Sequence, residues 1–239
     1  MRADGRLRFT KKYKRYILKV WLGSGRGAIE DRMFGSTISR WTMLHFAAAT
    51  ALFLVAQVAM AAGVAYPAFP VSAPATLAVV HLLTIGWITL LMLGALHQFV
   101  PVITAQTGVA GTFALVSLVA ILAGLAGMEV GFLALAGEFP LSAVLALPAG
   151  GTFVLVGVIA GAIPLVKMLW RTRPLPFAAR FVAAGLAFLF ATIGAGLVMG
   201  LAFALPDWVS WSEAFSRGLQ LHLMAGVLGW FMLTAMGVS

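Results

Sequence analysis

Four histidines, His45, His81, His97 and His222, carry most of the chemistry available to this sequence. The chain contains no cysteine, which excludes disulfides, thiolate metal sites, iron–sulfur clusters and covalent c-type haem attachment. Metal ligands must therefore come from these imidazoles, a few carboxylates and the methionines. Imidazole is the commonest protein metal ligand, so the positions of the histidines decide what the chain can bind.

Two of the histidines precede a sequence that occurs twice. Superposing Gly86-Trp87 on Gly229-Trp230, an offset of 143 residues, brings residues 76–103 and 219–239 into register. His81 lies five residues before the first Gly-Trp pair, and His222 lies seven residues before the second. The sequence therefore predicts an internal two-fold repeat with a histidine in each copy.

The composition predicts an all-α integral membrane protein. Hydrophobic residues make up 62% of the 239 residues and charged residues only 10%, so lipid must cover much of the apolar surface. The net charge is +9, but 11 of the 16 Lys and Arg residues fall within the first 40 positions. A cytoplasmic flank attracted to anionic lipid headgroups explains this cluster better than nucleic-acid binding does.

Apolar runs and the residues that interrupt them divide the chain into two parts. Residues 1–40 form a basic cytoplasmic N-terminal segment without the features of a signal peptide, in which residues 8–22 are either an amphipathic surface helix or a disordered tail. Residues 41–239 form a bundle of about six transmembrane helices. We place the spans at 41–64, 76–103, 111–135, 141–166, 181–205 and 213 to the C-terminus.

Loop charges predict that both termini are cytoplasmic. With the N-terminus inside, four further cations fall on the cytoplasmic side and Arg217 alone falls outside, while the acidic residues beyond position 40 fall on or near the outer side. The cytoplasmic cations are Lys167, Arg171, Arg173 and Arg180. No charged residue is placed deep in a span, which argues against a pump or transporter with a charged midplane site.

This orientation sorts the histidines into two depths. His81 and His97 stand at opposite ends of the second span, about 24 Å apart at 1.5 Å per residue, so one metal cannot bind both. His222 lies at a depth similar to His81, and the two imidazoles can face one another as axial ligands of a haem. His45 and His97 share the inner half, where a second bis-histidine site is conceivable.

The residues around the second Gly-Trp pair resemble a known family. His222-Leu-Met224-Ala-Gly-Val-Leu-Gly229-Trp230, followed by Gly237, is similar to the tenth helix of haem-copper oxidase subunit I, particularly in cbb3-type oxidases and shorter relatives. In that family two histidines separated by one residue precede the Gly-Trp pair, and they ligate the high-spin and low-spin haems. His222 matches the first position. Met224 occupies the second, and a thioether can also ligate haem iron.

The first Gly-Trp pair resembles the equivalent helix of oxidase-like relatives, including membrane proteins linked to nitric-oxide tolerance. In that alignment His81 takes the place of a haem ligand, and His97 follows within the same motif. The resemblance implies haem b as cofactor, electron transfer or binding of O2 or NO as function, and the bacterial inner membrane as location.

The chain departs from the family in size and in its copper ligands. The family has about twelve spans, and its copper site needs three histidines including an adjacent pair, which four separated histidines cannot supply beside two haems. We therefore expect no complete haem-copper active site in this chain. The repeat stops at Ser239, so we expect a fragment of a longer protein or a half-size member that pairs with another subunit or a second copy.

Two functions of other classes stay open beside the haem protein. One is a metal-free structural or assembly subunit that kept the fold and lost the cofactor. The other is a small-molecule transporter or channel, against which the lack of buried charge weighs.

Overall fold

The computed structural model describes residues 38–109 and 111–238, and within these ranges it is helical and contains no strand. The basic segment predicted for residues 1–40, with its candidate helix at 8–22, lies almost entirely outside the described residues. The described residues contain six long helices. They are α1 (Arg40–Ala61), α2 (Pro74–Ile103), α3 (Gly111–Leu135), α4 (Ala146–Arg171, preceded by the 3₁₀ turn Leu141–Leu145), α5 (Phe177–Ala204) and α6 (Trp211–Met224, Ala225–Leu233 and Thr234–Val238).

The six predicted spans are confirmed, with differences at the junction of the fourth and fifth. Helix α4 continues past the predicted end at Val166 to Arg171. The apolar run ends at Val166, but the helix continues through Lys167 and Arg171, because their long side chains can reach water from the end of a membrane helix. Helix α5 begins at Phe177, directly after the proline at its N-cap. Proline is well placed there, since a residue before the first turn needs no intrahelical N–H.

Helices α3 and α4 share an extensive contact, and glycines make their close approach possible. A Cβ atom added at Gly124 would lie 2.6 Å from the backbone nitrogen of Val154. A Cβ at Gly150 would lie equally close, at 2.6 Å, to the backbone nitrogen of Met128. Small residues that let backbones meet are the usual basis of helix association in lipid.

The outer surface of the bundle is apolar, as lipid contact requires. Large hydrophobic side chains such as Val58 and Val102 are exposed over 67% and 71% of their surface, whereas Leu90, Leu93 and Leu96 of α2 are fully buried. All six helices are long and apolar enough to cross a bilayer. The protein is therefore an integral membrane protein with lipid as its first partner.

Candidate functional site

The two copies of the sequence repeat share a rare local geometry. Leu82–Thr89 in α2 and Ala225–Leu233 in α6 are both π-helical, and Leu82 plus the 143-residue offset is Ala225. Each π-helical segment contains its copy of the Gly-Trp pair. π-Helical turns are uncommon and concentrate at functional sites. Their repetition therefore indicates that the adjacent histidines belong to a functional site.

His81 and His222 lie together between α2 and α6. Their ring centroids are 6.3 Å apart, and the ring planes are inclined by 32°. This confirms that the two imidazoles meet, as their similar depth predicts. Both side chains are only partly buried.

The hydrogen bonds of this pair fix which nitrogen of each ring is free. Nδ1 of His81 lies 2.7 Å from the carbonyl oxygen of Leu77, and Nδ1 of His222 lies 2.8 Å from that of Thr192. A carbonyl oxygen only accepts, so Nδ1 carries the proton in both rings. In a neutral imidazole the remaining Nε2 then has a free lone pair. Each histidine therefore offers Nε2 as a metal ligand.

The spacing of the pair fits two axial ligands of one metal ion. Two imidazoles bound in line have centroids about 6 Å apart, because each metal–nitrogen bond is about 2 Å and each centroid lies about 1 Å behind its nitrogen. The observed separation is 6.3 Å. A backbone carbonyl on the opposite ring nitrogen is also the usual outer-shell partner of a ligating histidine.

Phe132 and Gly196 complete the surroundings of the pair. The ring of Phe132, in α3, lies 4.8 Å from the ring of His81 at an inclination of 31°. Gly196, in α5, faces His222, and a Cβ added there would lie 3.0 Å from Cε1 of that ring. The glycine thus lets the imidazole lie directly against α5.

His45 and His97 form a second pair, at the opposite end of α2. Their centroids are 5.4 Å apart with the rings nearly perpendicular, and the side chains are 0% and 5% exposed. Nδ1 of His45 donates to the carbonyl of Trp41 at 2.8 Å, and Nε2 of His97 donates to that of Gly161 at 3.2 Å. The other ring nitrogens, Nε2 of His45 and Nδ1 of His97, are buried without a protein partner.

Helix α1 packs closely on α2 beside the second pair. A Cβ added at Gly94 would lie 2.7 Å from Cβ of His45, so α1 and α2 are in direct contact at this level. The two unpartnered nitrogens are both lone-pair acceptors and cannot bond to each other. A water molecule can donate to both, and one buried water commonly satisfies such groups.

The remaining candidates lie apart from the His81–His222 pair. Met224 is 52% exposed, and its position two residues after His222 turns it about 160° away around the helix. Glu129, expected near the outer side, stands inside α3 with its Oε1 buried and without a hydrogen-bond partner. Across the part of the chain that is described, no three His, Asp or Glu side chains converge as a metal site.

Comparisons with protein-family models, with curated proteins and with solved structures found no match for this chain.

Proposed function

We propose that the protein is a b-type haem protein of the membrane, with His81 and His222 as axial ligands. The single observation that supports this proposal is the adjacent pair of imidazoles, with centroids 6.3 Å apart and Nδ1 of each ring hydrogen-bonded to a backbone carbonyl. The apolar helices around the two imidazoles provide the environment that a porphyrin needs. When bound, the haem would supply a one-electron redox couple.

Electron transfer is the activity that this ligand set favours. If His81 and His222 both held the iron, no ligand position would stay open, and binding of O2 or NO would require one imidazole to leave. The two Nδ1–H bonds oppose such a departure, because they hold each ring in place and increase the basicity of its Nε2. We therefore place electron transfer first and binding of a diatomic gas second.

We also propose that both termini are cytoplasmic and that the protein belongs to a bacterial inner membrane. Arg40, Lys167, Arg171, Arg173 and Arg180 all lie at one end of the bundle, and Glu138 and Asp207 lie at the other. This distribution supports the orientation by the positive-inside rule. A redox role further implies an electron-exchanging partner, either another membrane subunit or a second copy of the chain.

Optical spectroscopy of the purified full-length chain tests the haem proposal. We expect a Soret band that shifts on reduction with dithionite, and a pyridine haemochrome signal equivalent to one haem b per chain. His81→Ala and His222→Ala should each remove the low-spin spectrum, whereas Met224→Leu, the matched control, should leave it unchanged. If carbon monoxide binds to the reduced wild type, the gas-binding activity is favoured over electron transfer.

A negative result would be equally informative. Well-folded protein without a Soret band, even after expression with excess haem, would contradict the proposal and favour a metal-free structural subunit. Solute uptake into proteoliposomes by haem-free protein would instead favour a transporter.

A further inference from the structure

An apolar cleft opens between the end of α4 and the beginning of α5. Its volume is about 280 Å³, and Leu169 and Leu186, 5% and 2% exposed, line its most buried part. The other apolar residues of its wall are Val166, Trp170, Leu175, Ala183, Ala187 and Phe190. Such walls favour hydrocarbon over water as the occupant.

Two arginines stand at the mouth of this cleft. Arg173 is part of its lining, and its guanidinium carbon lies 5.9 Å from the centroid of the Trp170 ring. Nε of Arg180 donates to the carbonyl oxygen of Leu175, which also lines the cleft, at 3.3 Å. Both guanidinium groups are exposed and therefore able to meet a further anion.

Among the described residues, no carboxylates balance the charge of this region. Lys167 and Arg171 add two exposed cations at the end of α4. Residues 139–206 contain no Asp or Glu, and among the described residues no acidic side chain forms an ion pair with these four cations. Trp170 and Phe177, exposed over 75% and 74% of their surface, flank the cations as interfacial aromatic residues do.

We propose that this cleft is a binding site for a phospholipid with a net negative headgroup. One acyl chain lies in the apolar cleft, and the phosphate of the headgroup contacts Arg173 and Arg180. Basic pockets between transmembrane helices favour such lipids, and the cleft explains why a lipid rather than a free anion is bound. The proposal uses residues separate from the four histidines and is independent of the haem.

Quenching of Trp170 by lipids with brominated acyl chains tests the site in the full-length protein. The protein is placed in phosphatidylcholine nanodiscs with rising fractions of brominated phosphatidylglycerol or, separately, brominated phosphatidylcholine. The Trp170 signal is the difference between wild type and Trp170→Phe. Because a basic residue near the surface contributes about fivefold in affinity for anionic lipid, we expect the two arginines together to favour phosphatidylglycerol by about 25-fold.

Matched variants separate the contribution of the lipid headgroup from that of the acyl chain. Arg173→Gln with Arg180→Gln should bring phosphatidylglycerol to the phosphatidylcholine value, and Arg217→Gln, at the opposite end of the bundle, should change nothing. Ala187→Phe, which fills the cleft, should reduce quenching by both lipids, whereas Val198→Phe on the exposed surface of α5 should not. Equal quenching by the two lipids in wild type would overturn the proposal. Displacement of phosphatidylglycerol by inorganic phosphate at matched ionic strength would also overturn it, because the site would then recognise a free anion.

Discussion

The indole Nε1 of Trp230 donates a hydrogen bond to Oγ1 of Thr89 at 3.1 Å, and this bond joins the two π-helical segments of the repeat. Both residues are buried, at 1% and 4% exposure. The equivalent indole in the first copy behaves differently, because the ring of Trp87 packs on Phe53 with centroids 4.4 Å apart. The repeat is therefore symmetric in helix geometry and asymmetric in its tryptophan contacts.

The Trp230–Thr89 bond should contribute measurably to stability. We expect Trp230→Phe and Thr89→Val to be coupled by about 0.6 kcal/mol, and by no more than about 1.7 kcal/mol, in a double-mutant cycle, which are the average and the maximum for hydrogen bonds between membrane helices. The free energy of unfolding in mixed micelles measures this coupling. Trp87→Phe combined with Thr89→Val is the control pair, and its effects should add. Additive effects for the Trp230 pair as well would show that the bond does not hold the two segments together.

Gly196 should be required for the position of His222. Valine at this position would push against the imidazole, whose Cε1 already lies 3.0 Å from the site of an added Cβ. Gly194→Val is a matched control on the same helix, since no atom lies within 4 Å of a Cβ added there. We expect Gly196→Val to lower the haem content severalfold relative to Gly194→Val, measured by the haemochrome assay. Equal haem content in the two variants would contradict a ligand role for His222 in this position.

The inner histidine pair should affect stability without affecting haem content. His97→Phe removes the hydrogen bond to Gly161, and we expect it to lower the free energy of unfolding by about 1–3 kcal/mol. The haem-to-protein ratio of the folded fraction should stay at the wild-type value for His97→Phe and for His45→Phe. A fall in that ratio to half would indicate a second haem at the inner pair, contrary to our proposal.

Much of the architecture can be predicted from the sequence because lipid imposes simple rules. Apolar runs define the six helices, and the matched depths of His81 and His222 predict that they meet. The 143-residue repeat likewise corresponds to two π-helical segments with the same starting point. The depth of a residue along a transmembrane helix can thus be predicted from its residue number alone.

The rotation of each helix about its axis is much harder to predict. Helices such as α3 are apolar all round, so hydrophobic periodicity gives no buried face, and the contact of Phe132 with His81 has no distinct sequence signal. The free Nε2 of His222 depends on the carbonyl of Thr192, in another helix. The extension of α4 to Arg171 is also not predicted, because the apolar run ends at the first charged residue whereas the helix continues beyond it.

The glycine contact between α3 and α4 should dominate the stability of the bundle. Leucine at Gly150 would place its Cβ 2.6 Å from the backbone nitrogen of Met128, and backbone atoms cannot move aside as a flexible side chain can. We therefore expect Gly150→Leu to separate the helices and to lower the free energy of unfolding by about 3 kcal/mol or more, the upper part of the overpacking range. Gly194→Leu, in open space, should change it by less than about 0.5 kcal/mol. Unfolding in mixed micelles compares the two variants, and similar stabilities would mean that the close approach of α3 and α4 is not required for the fold.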